Sequence, residues 1–333
     1  MAIIQDVFLG IALGDAFGVG LETCDRDWLQ QNVDFTRYTS LRTGRYTQGY
    51  RLGDYSDDTS DTLAIAKLLN SEVSFTIDSL YQALKEEWEI SKLDRNGVPR
   101  AGFGSILKVF EGKTTLKELQ DWQRIRAYPG NAPTMRSIPF GFLSWGPYGD
   151  NIYRHCEVNT NITHPNSKAL ASSLVIAYAT KFFLGPLQAK KEELLEACAN
   201  AVEFCDLETS EYLRRIDNLP SILAETDYEI LLGPQPIPNF MKEGQTIRGL
   251  NSDAMRTAGA VLYILKHTNS AFEALKGSIY MGGDVDSLAA LTVGLSAGRY
   301  GISDIPQTLF DGLENSKYVI EVAKTFEGNL KVY

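Results

Sequence analysis

The first acidic turn of the sequence is Ser56-Asp57-Asp58-Thr59, which closes a turn-rich segment and opens an apolar helical pattern. Serine, aspartate and threonine are common at helix N-caps, where their oxygens accept hydrogen bonds from unpaired backbone amides. Capping accounts for one aspartate, but not for two adjacent acids with Asp61 one turn later. Three carboxylates so close together repel one another unless a cation or water neutralises them. Taken alone, the turn fits both a helix cap and a metal site.

A second acidic turn, Gly-Gly-Asp-Val-Asp-Ser at residues 282–287, lies immediately before the apolar segment Leu288–Tyr300. Its two glycines allow backbone conformations that can bring the carboxylates of Asp284 and Asp286 to one point. Ser287 can cap the helix or act as a ligand, and hard oxygen ligands favour Mg²⁺, Mn²⁺ or Ca²⁺ over Zn²⁺. Because each acidic turn leads into an apolar helix, we favour one shared metal site with four carboxylates and two hydroxyls over two separate caps.

Two further segments carry weaker signals. Residues 129–136 read Pro-Gly-Asn-Ala-Pro-Thr-Met-Arg, a turn whose backbone amides could hold a phosphate or a sugar at a helix start. A plain junction between a loop and a helix is the simpler explanation of that segment. His164, in Thr-His-Pro-Asn at residues 163–166, stands at the mouth of a helical pattern in a chain with three histidines. A lone histidine of this kind is usually structural.

Helical periodicity must position these residues, because apolar side chains recur at i, i+3 and i+4 along most of the chain. The best strand-like, turn-rich candidate is Phe35–Gly53, which we predict to be hairpin-like. Residues 167–180 and 287–298 are rich in Ala, Ser and Gly and nearly apolar all round, which predicts central buried helices. The sequence predicts a compact all-α fold with helices over Ile3–Val19, Asp61–Leu69, Ile77–Trp88, Leu116–Ile125, Ser167–Phe183, Lys190–Phe204, Ala254–His267 and Leu288–Tyr300.

Composition narrows the classes of function. The chain has 333 residues, 44% hydrophobic and 22% charged, which is typical of a globular protein and excludes a mainly disordered one. A net charge of −10 disfavours binding to nucleic acid or to an anionic membrane surface. No apolar stripe suggests a subunit interface, so we expect a monomer. We expect reduced thiols and a cytoplasmic location because no CxxC pair occurs among Cys24, Cys156, Cys198 and Cys205.

Five motifs together resemble the ADP-ribosylglycohydrolase family, which includes dinitrogenase reductase-activating glycohydrolases and hydrolases of ADP-ribosylarginine and ADP-ribosylserine. They follow the family order along almost the whole chain. The family patterns G-D-A-x-G-x-x-x-E, [ST]-D-D-T, G-N-G-x-x-M-R, T-H-P and G-G-D-x-D-[ST] correspond to Gly14–Glu22, Ser56–Thr59, Gly130–Arg136, Thr163–Pro165 and Gly282–Ser287. Two departures occur. Ala132-Pro133 replaces the second glycine of the third motif and removes one amide donor, and Val285 replaces a common threonine.

The resemblance implies one ADP-ribosylglycohydrolase domain over residues 1–333, with an all-α fold and a binuclear Mg²⁺ or Mn²⁺ centre in a cleft. The implied metal ligands are Ser56, Asp57, Asp58, Asp284, Asp286 and Ser287. The implied catalytic residues are Glu22, Asp57, Asp58 and Asp286. The Gly102-Phe103-Gly104-Ser105 loop and the third motif fall where the family holds diphosphate and ribose. The implied substrate-binding residues are Gly102, Gly104, Gly130, Asn131, Thr134, Met135 and His164.

The implied activity is metal-dependent cleavage of the N-glycosidic bond of an ADP-ribosylated protein side chain, which releases ADP-ribose. The serine hydroxyls in both acidic motifs favour arginine as the acceptor. Three alternatives stay open: a hydrolase of O-linked ADP-ribosyl-serine, a non-catalytic relative that binds or occludes ADP-ribosylated partners, and a metal phosphohydrolase that releases phosphate from nucleotides. The presence of every acidic motif residue favours an enzyme.

Overall fold

The fold is built from helices. The computed structural model describes residues 3–93, 97–100, 102, 104–145, 151–185 and 190–330. Those residues form eighteen α-helices: α1 (Ile3–Val19), α2 (Arg26–Asn32), α3 (Asp57–Leu69), α4 (Ile77–Ile90), α5 (Leu107–Phe110), α6 (Leu116–Arg124), α7 (Ala132–Met135), α8 (Ile138–Gly141), α9 (Ile152–Asn161), α10 (Ser167–Leu184), α11 (Leu194–Val202), α12 (Leu207–Ile216), α13 (Glu225–Leu232), α14 (Ala254–His267), α15 (Ala271–Ile279), α16 (Val285–Tyr300), α17 (Gln307–Gly312) and α18 (Ser316–Leu330).

Short elements connect the helices. Two antiparallel strands, β1 (Ile237–Pro238) and β2 (Thr246–Ile247), pair Ile237 with Ile247 and Pro238 with Thr246. The 3₁₀ helices of the described residues are Gly44–Thr47, Gly104–Ile106, Phe142–Trp145 and Lys191–Glu193. The predicted all-α fold is confirmed.

Outer and central helices differ in how much of their surface is buried. In α4, Thr76 caps the first turn by accepting the backbone N–H of Ser79, and the buried side chains include Leu80, Leu84 and Trp88, which form one stripe. By contrast, every residue of α16 from 285 to 297 is buried, as the Ala- and Gly-rich sequence predicts. None of the described helices is both long and apolar enough to cross a membrane.

The tight contact between α1 and α16 depends on glycines spaced four residues apart on α1. A β-carbon at Gly10 would lie 2.7 Å from the carbonyl oxygen of Val293. A β-carbon at Gly14 would overlap the carbonyl of Ala289, and one at Gly18 would overlap the Cα of Asp286. Because these glycines have no side chain, the two backbones approach closely. The end of α1 therefore lies against the acidic first turn of α16.

The hairpin-like prediction for Phe35–Gly53 is wrong: the segment contains a 3₁₀ helix and no strand. The physical reason is that its internal backbone hydrogen bonds are short-range turns, such as Tyr46 N–H to the carbonyl of Thr43, while other donors bond to the end of α1. The backbone N–H of Leu41 donates to the carbonyl of Gly20, and the Arg42 guanidinium donates to the carbonyl of Val19. Side-chain alternation alone could not reveal these partners.

The helix predicted over Lys190–Phe204 is also corrected. It divides into a 3₁₀ turn and α11, and α11 ends at Val202 because the chain turns there towards α12. Cys198 is buried in α11, whereas Cys205 lies beyond its end. All four cysteines are unpaired.

Candidate metal and substrate site

The first acidic turn forms the N-terminus of α3. Ser56 is the N-cap residue, with extended backbone angles, and its Oγ accepts the backbone N–H of Asp58 at 3.3 Å. The same hydroxyl lies 3.2 Å from Oδ2 of Asp58, which is 2% exposed. Asp57 is the first residue of the helix. Capping therefore accounts for Ser56 and leaves the carboxylates of both aspartates for other contacts.

The second acidic turn forms the N-terminus of α16, where glycine is required. Gly282 and Gly283 have φ angles of +70° and +79°, a region that favours glycine, and a β-carbon at Gly283 would overlap the carbonyl oxygen of Leu250. Gly283 donates its N–H to the carbonyl of Cys24 at 3.0 Å. Asp284 occupies the N-cap position but makes no side-chain capping hydrogen bond. The turn is thus fixed by its backbone, and its carboxylates are available to the site.

Three carboxylates from different parts of the chain converge. One carboxylate oxygen each from Glu22, Asp284 and Asp286 lie within 4.8 Å of one another, close enough to hold one metal ion. Glu22 also forms an ion pair with Arg42, whose side chain is 6% exposed, with 3.1 Å from Nη1 to Oε2. Burial raises the pKa of Glu22 to about 7, and the charge of Asp284 adds to this effect while Arg42 opposes it. The cluster concentrates negative charge where little water reaches.

Electrostatics connects the two acidic turns. Burial raises the pKa of Asp58 well above its usual value, and the negative charges of Asp15, Asp57 and Asp284 raise it further. A hydrogen bond with Ser287 opposes this rise. Asp58 therefore interacts with residues of both turns, and the two turns share one acidic centre.

Asp286 provides a test of whether this centre fits a cation. Burial raises its pKa well above the usual value, followed by the charges of Glu22, Asp284 and Asp58. Oδ1 of Asp286 and Oδ1 of Asp58 are buried and accept no hydrogen bond from any described residue. Buried carboxylate oxygens without partners are costly. Oxygen ligands of this kind suit Mg²⁺, Mn²⁺ or Ca²⁺, so the residues fit a hard divalent cation.

Several predicted substrate-binding residues border the acidic centre. A β-carbon at Gly102 would overlap Oδ1 of Asp57, and one at Gly104 would lie 3.6 Å from Oδ2 of the same residue. Asn131 donates from Nδ2 to Oδ2 of Asp284 at 2.9 Å. The fold thus brings both segments to the predicted metal ligands. Phe103 and the side chain of Ser105 lie outside the described part of the chain.

The remaining predicted substrate residues form a layer behind Asn131. Gly130 lies against His164, because a β-carbon there would be 2.9 Å from the imidazole Nε2. His164 is 2% exposed, and burial, together with the charges of Arg136 and Arg126, lowers its pKa to about 3. The ring is therefore neutral at pH 7. Thr134 and Met135 are buried, and their contact with substrate stays a prediction.

Asp61 does not contribute to the acidic centre in the way its sequence position suggested. Its Oδ2 forms a buried ion pair with Nη1 of Arg136 at 2.7 Å. Arg136 also donates from Nε to Oδ1 of Asn159 at 2.7 Å and from Nη2 to Oγ1 of Thr163 at 3.3 Å. This network joins α3 to the third and fourth sequence motifs. The guanidinium of Arg136 neutralises the charge of Asp61.

Sequence reasoning assigned no role to Asp15, although it belongs to the first motif, and none to Arg42. Asp15 is fully buried in α1 and accepts hydrogen bonds from the first acidic turn. The signal that could have identified Asp15 is its position as an ionisable residue inside an otherwise apolar helical pattern. Arg42 carried no such signal, because it belongs to the segment that was wrongly predicted as hairpin-like.

The chain is similar to known proteins in sequence and in fold. The sequence model described as ADP-ribosylglycohydrolase matches residues 3–331. The Danio rerio protein named ADP-ribosylhydrolase ARH3 is 25% identical over an alignment of 285 residues, and the match covers 78% of this chain and 73% of that protein. A solved structure described as an ADP-ribosylglycohydrolase-related protein complex has a TM-score of 0.66 and 19% identity, and the match covers 98% of this chain and 97% of that one. At that identity, the structural likeness supports the fold alone.

Proposed function

This chain belongs to the ADP-ribosylglycohydrolase family, and we propose on that premise that it is a divalent-cation-dependent hydrolase of ADP-ribosylated protein side chains. It cleaves the N-glycosidic bond of ADP-ribosyl-arginine and releases ADP-ribose. Mg²⁺ is the proposed cofactor, with Mn²⁺ as the alternative. We propose that residues 1–333 act as one domain.

The observation that carries the proposal is the convergence of the Glu22, Asp284 and Asp286 carboxylate oxygens within 4.8 Å. Such a group is unfavourable unless a cation or a cationic reaction centre compensates its charge. Asp58, whose Oδ1 has no hydrogen-bond partner among the described residues, extends the group. The proposed cation ligands are Ser56, Asp57, Asp58, Asp284, Asp286 and Ser287.

In the proposed reaction, water adds to C1″ of the protein-linked ribose and the bond from C1″ to the arginine nitrogen breaks. The proton lost by the water ends on the released guanidine, so no oxidant or further co-reactant is needed. When bound, divalent cations supply positive charge that orients ribose hydroxyls and lowers the pKa of water. The carboxylates of Glu22 and Asp286 stabilise the positive charge that develops on the ribose in an oxocarbenium-like transition state. Arg42 holds Glu22 in place at 3.1 Å.

The proposed substrate segment has a separate role. Asn131, held by its hydrogen bond to Asp284, orients the ribose relative to the acids. Gly102 and Gly104 keep side chains away from Asp57, which leaves room for the diphosphate and the ribose. Thr134, Met135 and the neutral His164 support the same pocket from behind Gly130.

The test measures release of free ADP-ribose from ADP-ribosyl-arginine and ADP-ribosyl-serine peptides, by chromatography and mass spectrometry. Each reaction contains Mg²⁺, Mn²⁺ or EDTA. We expect release from the arginine peptide with either cation and none with EDTA. Asp57→Asn and Asp286→Asn should reduce turnover by about 100-fold or more while the helical circular dichroism stays unchanged.

The matched control is Asp206→Asn, which changes an aspartate at the N-cap of α12 and should keep wild-type turnover. Release from the serine peptide alone would correct the acceptor. Phosphate in place of ADP-ribose would indicate a phosphohydrolase, and tight ADP-ribose binding without turnover would indicate a binding module. Wild-type rates in Asp57→Asn and Asp286→Asn would overturn the assignment of the site.

A further inference from the structure

Asp15 is a fully buried carboxylate on α1 that contacts the first acidic turn from behind. Its Oδ1 and Oδ2 each lie 3.0 Å from the backbone nitrogen of Ser56. Its Oδ2 also accepts the backbone N–H of Thr59 at 3.0 Å and the Thr59 hydroxyl at 2.6 Å. These hydrogen-bond donors all belong to the turn that carries Asp57 and Asp58.

Helix capping alone does not explain this carboxylate. Ser56 already caps α3 with its own hydroxyl. Burial of a carboxylate is costly, and Asp15 is fully buried. The fold thus keeps an energetically unfavourable negative charge at the start of α3, although Ser56 already caps that helix.

The charge of Asp15 acts on the acidic centre. Its carboxylate accepts the backbone N–H groups of Ser56 and Thr59, on either side of Asp57 and Asp58, so its negative charge lies beside theirs and repels them. Such repulsion destabilises the site without a cation and strengthens its attraction for one. Asp15 is also rigidly held, because its neighbours Gly14 and Gly18 lie in tight contact with α16.

We propose that Asp15 is a positioning residue of the cation site: it fixes the Ser56–Thr59 turn so that Asp57 and Asp58 face the second acidic turn, and its charge increases the affinity for divalent cations. This inference rests on the cation requirement of the proposed function. Asp15 itself lies behind the turn and touches neither cation nor substrate.

The test compares wild-type protein with Asp15→Asn. The asparagine keeps the shape of the side chain, but its amide N–H₂ replaces one acceptor oxygen and meets the N–H donors of Ser56 and Thr59. Two quantities are measured in the full chain: the dissociation constant for Mn²⁺ and for Mg²⁺ by calorimetry, and the rise in Tm when saturating cation replaces EDTA. We expect Asp15→Asn to weaken cation binding by at least tenfold and to reduce the cation-induced rise in Tm.

A purely structural role predicts a different result, and Asp206→Asn provides the comparison. Asp206 accepts the backbone N–H and the hydroxyl of Thr209, both at 2.8 Å, much as Asp15 does with Thr59. We expect Asp206→Asn to lower the Tm equally with and without cation and to leave the dissociation constants unchanged. Thr59→Val removes one donor to Asp15 and keeps the charge, so we expect a smaller loss of affinity than in Asp15→Asn.

The outcomes separate this inference from the proposed function. If wild-type protein binds neither cation, the cation requirement fails and the role of Asp15 fails with it. If wild-type protein binds and Asp15→Asn binds equally well, the role of Asp15 is overturned and the proposed function stands. If Asp15→Asn does not fold, Thr59→Val decides: unchanged affinity in a folded variant overturns the proposal, and weakened affinity supports it.

Discussion

The side-chain amide of Asn131 donates a hydrogen bond to Oδ2 of Asp284, with 2.9 Å between the two atoms. The same amide nitrogen lies 3.2 Å from Oγ1 of Thr257 on α14. Both side chains of the first pair are 6% exposed, so water competes little for the bond. A residue of the predicted substrate segment therefore orients a carboxylate of the predicted metal site, and a change in one should alter the other.

Asn131→Ala should lower kcat/KM by about 10-fold to 100-fold. The reason is that a buried hydrogen bond to a charged group contributes about 1.5–3 kcal/mol. Steady-state kinetics with an ADP-ribosylated peptide measures the loss. The control is Thr257→Val, which removes only the second, uncharged partner of the amide and should change kcat/KM by about threefold or less. Equal losses in both variants would show that the bond to Asp284 is not the important one.

Local patterns predicted the helices and the acidic turns well. The bounds of α1 and α14 coincide with the predicted segments Ile3–Val19 and Ala254–His267 because one apolar periodicity runs through each segment. Each acidic turn lies at a helix start because aspartate, serine and glycine favour those positions. The partners of these turns could not be predicted in this way. Contacts such as Asp15 with Thr59 depend on how α1 and α3 pack, which no local pattern specifies.

The same limit explains the wrong prediction for residues 35–53. That segment has strand-like residues and turn signals, but the N–H of Leu41 and the guanidinium of Arg42 bond to the end of α1. The ion pair between Arg42 and Glu22 was therefore not predicted. The pairing of Asp61 with Arg136 was missed for a similar reason, because 75 residues separate the two side chains.

Gly102→Ala should lower activity and weaken cation binding by about tenfold or more. Gly102 has a φ of +103°, and its added β-carbon would overlap Oδ1 of Asp57, so the carboxylate must move. The control is Gly112→Ala, at a φ of +69° with no atom within 4 Å of the added carbon. Backbone strain should cost the control variant about 1–3 kcal/mol of stability without loss of activity. Calorimetry with Mn²⁺ measures cation binding, and release of ADP-ribose from the peptide measures activity. A wild-type dissociation constant and turnover in Gly102→Ala would contradict the predicted role of Gly102.

The free energy of unfolding should fall in acid partly because of His164. Its pKa is about 3 in the folded chain and 6.5 as an ordinary histidine, so between these values the unfolded chain binds a proton that the folded chain does not. This contribution is fully present above pH 6.5 and is lost as the pH falls towards 3, with a slope of up to about 1.4 kcal/mol per pH unit. Asp15 acts in the opposite direction, since its folded pKa is raised to about 6.

A difference measurement separates these effects. Urea unfolding in EDTA, at several pH values from 7 to 4.5, should give a smaller acid loss for His164→Gln than for wild-type protein. His267→Gln, at a half-buried histidine, should change the slope less. Parallel pH profiles for wild type and His164→Gln would show that His164 does not carry the acid sensitivity.

Gly14→Ala should destabilise the fold by about 1–3 kcal/mol, although alanine favours a helix more than glycine does. The added β-carbon would overlap the carbonyl of Ala289, which is backbone and cannot rotate away, so α1 and α16 must separate. Gly328→Ala is the matched control, because Gly328 lies in α18 with no atom within 4 Å of the added carbon. There the helix propensity acts alone, and stability should rise by about 0.5–1 kcal/mol. Urea midpoints measured in EDTA compare the two variants. Equal stability of Gly14→Ala and Gly328→Ala would contradict the close contact between α1 and α16. It would also leave the close approach of Asp286 to the end of α1 unexplained.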